Sequence, residues 1–134
     1  KNIFIEIEND IYNGLNLNRP KDFSLKYLAE QGVLLLNTAF TVEAHQPLSH
    51  AEIWEPFTKY VLHVLNVKRE KLIFLMWGEK ANRYSEHIDP SLHFILKTSH
   101  PSPFSANRGF LGCKHFSKTN QILENYLNKP KIIW

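Results

Sequence analysis

The spacing of apolar positions changes along the chain, and each change predicts an element. In the opening stretch KNIFIEIENDI, Ile3, Ile5 and Ile7 alternate with polar residues as a strand would. Ile3, Phe4, Ile7 and Ile11 also fit one face of a helix that Gly14 would end, and the helix is the favoured assignment. NLNRPKD reads as a polar loop around Pro20, and FSLKYLAEQG as a short helix with Gly32 at its C-terminal position. Residues 33–36, VLLL, form a short continuous apolar run of the kind expected for a strand buried on both faces of a parallel sheet. TAFTVEAHQPLSH follows as a loop. In AEIWEPFTKYVLHVLNVKRE the apolar residues Ile53, Trp54, Phe57, Val61, Leu62 and Leu65 recur at helical spacing, the clearest helix of the chain.

KLIFLMWG predicts a second buried strand ending at Gly78, and EKANRYSEHI a helix before the turn at Asp89 and Pro90. HFILKTSH predicts a third strand that delivers His100. SKTNQILENYL closes the chain as a helix able to pack through Ile122, Leu123, Tyr126 and Leu127. Strands alternating with helices imply an α/β layered fold with a mostly parallel sheet. The 134 residues suit one domain, 1–134, and no internal repeat is present. In open parallel sheets ligands bind beyond the carboxyl ends of the strands, which here are marked by Asn37, Gly78 and His100.

Composition narrows the classes. Hydrophobic residues at 43% and charged residues at 22%, without low-complexity tracts, exclude a disordered chain. The net charge of +3 permits an anionic partner without demanding one. Its distribution says more, because Lys97, Arg108, Lys114, Lys118, Lys129 and Lys131 face only Glu124 in the last third. Cys113 is the single cysteine, so an internal disulfide is excluded and a reducing, intracellular compartment is expected. The first residues carry neither a cleavage-site pattern nor an apolar run long enough to span a membrane, so neither export nor anchoring is implied.

Candidate chemistry concentrates in HPSPFSANRGFLGCKHFSKTN, residues 100–120. Asn37 offers the donor and acceptor needed to read a nucleobase edge, or it caps a turn. His100, on a loop stiffened by Pro101 and Pro103, could donate to a developing oxyanion, or be an ordinary histidine. Ser102 and Ser105 are candidate phosphate donors, though serines are common in turns. Phe104 either tucks into the core or projects as an apolar wedge of the kind that enters base stacks. Arg108 and Lys114 would then attract phosphate, although solvated basic residues are common. His45 and His50 lack a third ligand, so no metal is expected, and WGEK lacks the lysine and serine of a phosphate-binding loop.

QGVLLLNTAFTVEAHQPLSH, LIFLMWG and HPSPFSANRGFLGCKHFSKTN, in that order, resemble the family 1 uracil-DNA glycosylases over essentially the whole chain. The resemblance implies a three-layer α/β/α fold with a central, mostly parallel, four-stranded sheet. It also implies hydrolysis of the N-glycosidic bond of a flipped uracil, leaving an abasic site for base excision repair, with no cofactor. Asn37 matches the asparagine that reads uracil and rejects cytosine. His100 matches the histidine that donates to uracil O2 as the base leaves as an anion. Ser102 and Ser105 match phosphate-contacting serines, and Arg108 a DNA-contacting arginine. Phe104 stands where the family usually has leucine, the side chain that fills the space of the flipped nucleotide. Glu79 replaces a serine that in many members contacts phosphate, so that contact is weakened. The implied partner is uracil-containing DNA, single- or double-stranded, with a DNA-mimicking protein inhibitor as a second class. A monomer is expected, cytoplasmic in a bacterium and nuclear or mitochondrial in a eukaryote.

The family's GQDPYH motif, with its water-orienting aspartate and a neighbouring aromatic, has no counterpart here. Asp22 precedes a helix and Asp89 a proline. The chain is therefore expected to begin inside the family domain, at the helix after the proline-rich DNA-contacting loop. Loss of a central strand is expected to expose apolar strand faces and lower stability. Besides a glycosylase, a catalytically silent relative that binds DNA or a protein is open. An unrelated α/β hydrolase using a serine with His100 lacks a nucleophile elbow and a carboxylate partner.

Overall fold

The computed structural model describes residues 1–14, 25–67 and 70–134. The elements run α1 (Asn2–Ile11), α2 (Lys26–Glu30), α3 (Ala51–Asn66), β1 (Ile73–Trp77), α4 (Glu79–Arg83), β2 (Phe94–Thr98) and α5 (His115–Asn125). Short 3-10 turns cover Tyr84–His87 and Ala106–Arg108. Two compact units arise from this order, one built from Lys1–Leu35 with Thr98–Trp134 and the other from Leu36–Lys97. The polar loop expected around Pro20, and the start of the helix expected at Phe23, lie outside the described residues.

In the unit Leu36–Lys97, β1 and β2 form a two-stranded parallel sheet joined through α4 and the 3-10 turn. Leu62 of α3, Met76 of β1 and Ile88 make its buried core, with Phe74, Ala81, Tyr84 and Ile95 packed around them. Gly78 ends β1 at φ 95°, a left-handed conformation that favours glycine, and so starts α4 directly after the strand. His93, 4% exposed, braces the same sheet. Its Nδ1 accepts from the Leu72 N–H at 3.1 Å, which leaves Nε2 to donate to the Asn66 carbonyl at 3.0 Å. One buried ring thereby ties the end of α3 to the start of β1.

Around the N-terminus of α3, the Trp54 indole N–H donates to Thr41 Oγ1 at 2.8 Å, and the same hydroxyl shares a hydrogen bond of 2.9 Å with His50 Nδ1. His50 thus serves loop packing, the reading favoured over a metal ligand. Among the described residues no group of three His, Cys, Asp or Glu side chains could hold a metal ion.

In the other unit α1 packs against α5. Ile7, Phe110, Phe116 and Trp134 are nearly fully buried there, and Phe116 meets Trp134 edge to face with ring centroids 4.9 Å apart. The Asn120 side chain donates to and accepts from the backbone of Ile132, at 3.0 and 2.9 Å, so the last residues are held against α5.

Two expectations need correction. Residues 33–36 form no strand: they join no ladder among the described residues, and Leu34, Leu35 and Leu36 are exposed. A continuous apolar run becomes a buried strand only where neighbouring strands pair with both of its edges. The α/β class stands, with β1 and β2 where expected. Secondly, α5 packs through His115, Phe116, Thr119 and Asn120, while Tyr126 falls beyond the helix and is exposed. Ile122, Leu123 and Leu127 are half-buried as expected, so Tyr126 alone departs from the expected packing, and the polar Thr119 and Asn120 join that face through hydrogen bonds that carry no apolar signal.

Candidate functional site

The segment after β2 gathers most of the candidate residues. His100 lies two positions beyond the strand end, and its Nδ1 accepts from the backbone N–H of Ser102 at 3.1 Å. An imidazole nitrogen that accepts carries no proton, so the ring is neutral and its proton sits on Nε2. The residue is exposed. Its carbonyl accepts from Ser105 Oγ at 2.8 Å, and Ser105 Oγ lies 2.8 Å from Ser102 Oγ. With the single Ser105 proton committed to the His100 carbonyl, Ser102 donates to Ser105. Either serine must release one of these bonds before it can donate to a phosphate.

Ser99 closes the loop from beneath. Its hydroxyl donates to the Ser105 carbonyl and accepts from the Phe110 N–H, both at 2.9 Å. Phe110 is fully buried and anchors the far end of the loop. Gly109 at φ 136° permits the turn into Phe110, a backbone conformation that a side chain would strain. Arg108, exposed, ends the 3-10 turn that begins at Ala106. Phe104 at the loop tip is 90% exposed, which decides between the two readings of that residue: it projects rather than tucks into the core. Five candidates, His100, Ser102, Phe104, Ser105 and Arg108, therefore share one braced loop.

Asn37 belongs to the other unit. Its side chain is exposed and makes no hydrogen bond with a described residue, so both amide groups are available. The adjacent Thr38 carbonyl accepts from the buried Thr58 hydroxyl at 3.1 Å, which fixes the backbone beside it to α3. Glu79, also exposed, pairs with Arg83 one helical turn on, so part of its charge is answered locally.

Residues 4–124 match the family model described as the Uracil DNA glycosylase superfamily. The chain belongs to that superfamily. It is 54% identical over 124 residues to the uracil-DNA glycosylase of Pectobacterium atrosepticum, covering 92% of this chain and 53% of the relative. With the uracil-DNA glycosylase of Haemophilus influenzae it shares 51% over 130 residues, covering 96% of this chain and 58% of the relative. The crystal structure of mimivirus uracil-DNA glycosylase superposes with a TM-score of 0.87 at 30% identity, over 99% of this chain and 53% of that one. A variant of mimivirus UNG in complex with UGI superposes similarly, with a TM-score of 0.86. The chain thus spans little more than half the length of the curated relatives it matches.

Sequence reasoning missed the supports of this glycosylase-family loop. Ser99 carried no signal beyond its place before His100. Glu6 and Asp10 carry no sequence signal that sets them apart from other acidic residues, although Glu6 is 1% exposed. Cys113 lies among these supports. Burial chiefly pushes its thiol up to about 11, with the Glu6 carboxylate reinforcing the shift and a backbone N–H of His115 opposing it. The thiolate is the reactive form, so at pH 8 Cys113 of the folded protein is expected to react with Ellman's reagent about a hundredfold more slowly than in urea. Equal rates in the two states would contradict that burial.

Proposed function

We propose that this chain supplies the base-reading, leaving-group and DNA-gripping parts of a family 1 uracil-DNA glycosylase, which cleaves the bond between uracil and deoxyribose in DNA. The observation that carries the reading is the tautomer of His100: the Ser102 amide occupies Nδ1 and leaves Nε2–H as a neutral donor on an exposed residue. A neutral donor suits a base leaving as an anion, because negative charge develops on uracil O2 and the hydrogen bond strengthens as it does. Asn37 reads the uracil edge through its free amide, and cytosine, with a different donor and acceptor pattern, is refused.

Phe104 enters the duplex beside the target nucleotide and occupies the space left when the base flips. Ser102, Ser105 and Arg108 grip the phosphates on either side. Release of the bond between the two serines frees the Ser102 hydroxyl for phosphate while Ser105 keeps its bond to the His100 carbonyl. A protein that presents a DNA-like surface is the second partner class. As a DNA-repair enzyme, the protein would work where the genome is.

Duplex binding tests this reading. Fluorescence anisotropy with a labelled duplex is expected to give tighter binding when the duplex carries a uracil or an abasic site than when it is undamaged. Equal affinities would oppose it. Phe104→Ala is expected to weaken abasic-site binding by about tenfold, from the loss of one aromatic contact with bases. Its stability should stay within about 0.5 kcal/mol of the parent, because the ring is exposed. A silent DNA binder is the second reading, favoured among the described residues by the engagement of Asp89, whose carboxylate accepts from the Ser91 N–H and hydroxyl. Binding without uracil release would identify that case.

A further inference from the structure

We propose that Asn2, Glu6 and Asp10 form one positioning stripe on α1, whose task is to hold the whole 100–117 segment in register, with Glu6 at its centre. Residues four apart lie above one another on a helix, so these three share a face. Every one of them bonds to that segment. The Asn2 side-chain amide donates to the Pro101 carbonyl at 2.8 Å. The Glu6 carboxylate accepts from the Gly112 N–H at 2.6 Å and the Lys114 N–H at 2.9 Å. The Asp10 carboxylate accepts from the Ser117 N–H at 2.8 Å and the Ser117 hydroxyl at 2.6 Å, at the first turn of α5.

The attachment points matter more than their number. Pro101 directly follows His100, whereas Gly112, Lys114 and Ser117 follow Arg108, so α1 grips the loop at both of its feet. Glu6 is 1% exposed, and a buried carboxylate is costly unless donors surround it. Its donors come from a turn that would not persist unaided: Gly112 has φ 86° and Lys114 φ 57°, the latter unfavourable for a residue with a side chain. The carboxylate and the turn stabilise each other, as successive N–H groups in such a turn make a concavity for an anion. Between the feet, the Ser99 hydroxyl ties Ser105 to Phe110. The loop therefore hangs from a rigid helix at its ends and is braced across its middle.

The functional consequence rests on the uracil-excision reading, while the geometry does not. A helix that fixes Pro101 fixes the backbone next to His100 and, through the Ser102 amide, the tautomer of its ring. Displacement of a catalytic group by about 1 Å is enough to lose much of its effect on a transition state.

Two variants of the full chain test the stripe. Asn2→Asp removes the donor to Pro101 and sets a carboxylate against that carbonyl. Glu6→Gln keeps the shape but turns an amide group toward a backbone N–H. The probe is the nitrogen-15 NMR spectrum of the His100 ring, which reports the protonated nitrogen without DNA or catalysis. The parent should give the Nε2–H form, and Asn2→Asp a mixture of tautomers with an unchanged unfolding midpoint. Where uracil release is measurable, kcat should fall about tenfold or more with little change in KM. Wild-type ring signals in folded Asn2→Asp would overturn the proposal, whatever Glu6→Gln does, so that failure of Glu6→Gln to fold leaves the test intact. A parent that releases no uracil would defeat the excision reading alone, since the ring spectra still decide the positioning.

Discussion

Replacement of His100 by leucine is expected to lower the rate constant for uracil excision by about 100- to 1,000-fold, the effect of deleting one preorganised donor to a developing oxyanion. Affinity for the uracil duplex should change little, because leucine removes the Nε2–H without removing Ser102, Phe104, Ser105 or Arg108 from the loop. The effect is differential: the hydrogen bond matters most when charge has moved onto the base, so it acts on kcat more than on binding. Single-turnover kinetics with enzyme in excess isolates the chemical step. Unchanged excision by His100→Leu would remove His100 from the chemistry. A matched loss of rate and affinity would instead make it a DNA contact.

Phe110→Ala should have the largest effect on stability. The ring is fully buried, and truncation of such a phenylalanine costs about 3–5 kcal/mol in lost burial and residual cavity. That is a large share of the roughly 5–15 kcal/mol that holds a domain together. Position adds to the loss, because the Phe110 N–H bonds to Ser99 and its neighbour Gly109 makes the turn back to the loop. Urea unfolding should therefore give a lower midpoint for Phe110→Ala, with Phe110→Leu between it and the parent. A midpoint within about 1 kcal/mol of the parent would mean that the core around α1 and α5 closes over the gap.

The contrast between these two residues follows what the sequence made legible. Patterns that depend on neighbours in sequence could be read directly: the helical spacing through α3, the apolar runs of β1 and β2, and the turn at Gly78. The run at 33–36 looks the same as β1 on paper and differs in the structure, because pairing is set by partners remote in sequence rather than by the run itself. Asn2, Glu6 and Asp10 were hidden for a related reason. Polar side chains at four-residue intervals usually face water, and only the fold shows that this face meets backbone donors from residues 112–117.

The same limit applied to α5, where Thr119 and Asn120 are buried through hydrogen bonds and Tyr126 is left exposed. By contrast, the loop at 100–120 could be found from its residue types alone, since a histidine, two prolines, three serines and basic residues have few reasons to cluster around a phenylalanine. The direction of Phe104 and the tautomer of His100 needed coordinates. Both depend on which backbone groups the loop turns inward.

Uracil release from a labelled uracil-containing oligonucleotide, read as alkali-sensitive strand cleavage beside a thymine-containing control, tests the central claim most directly. The expected result is cleavage of the uracil strand only, lost with His100→Leu. A folded protein that binds the uracil strand and leaves it intact would contradict the glycosylase reading and establish the silent binder in its place.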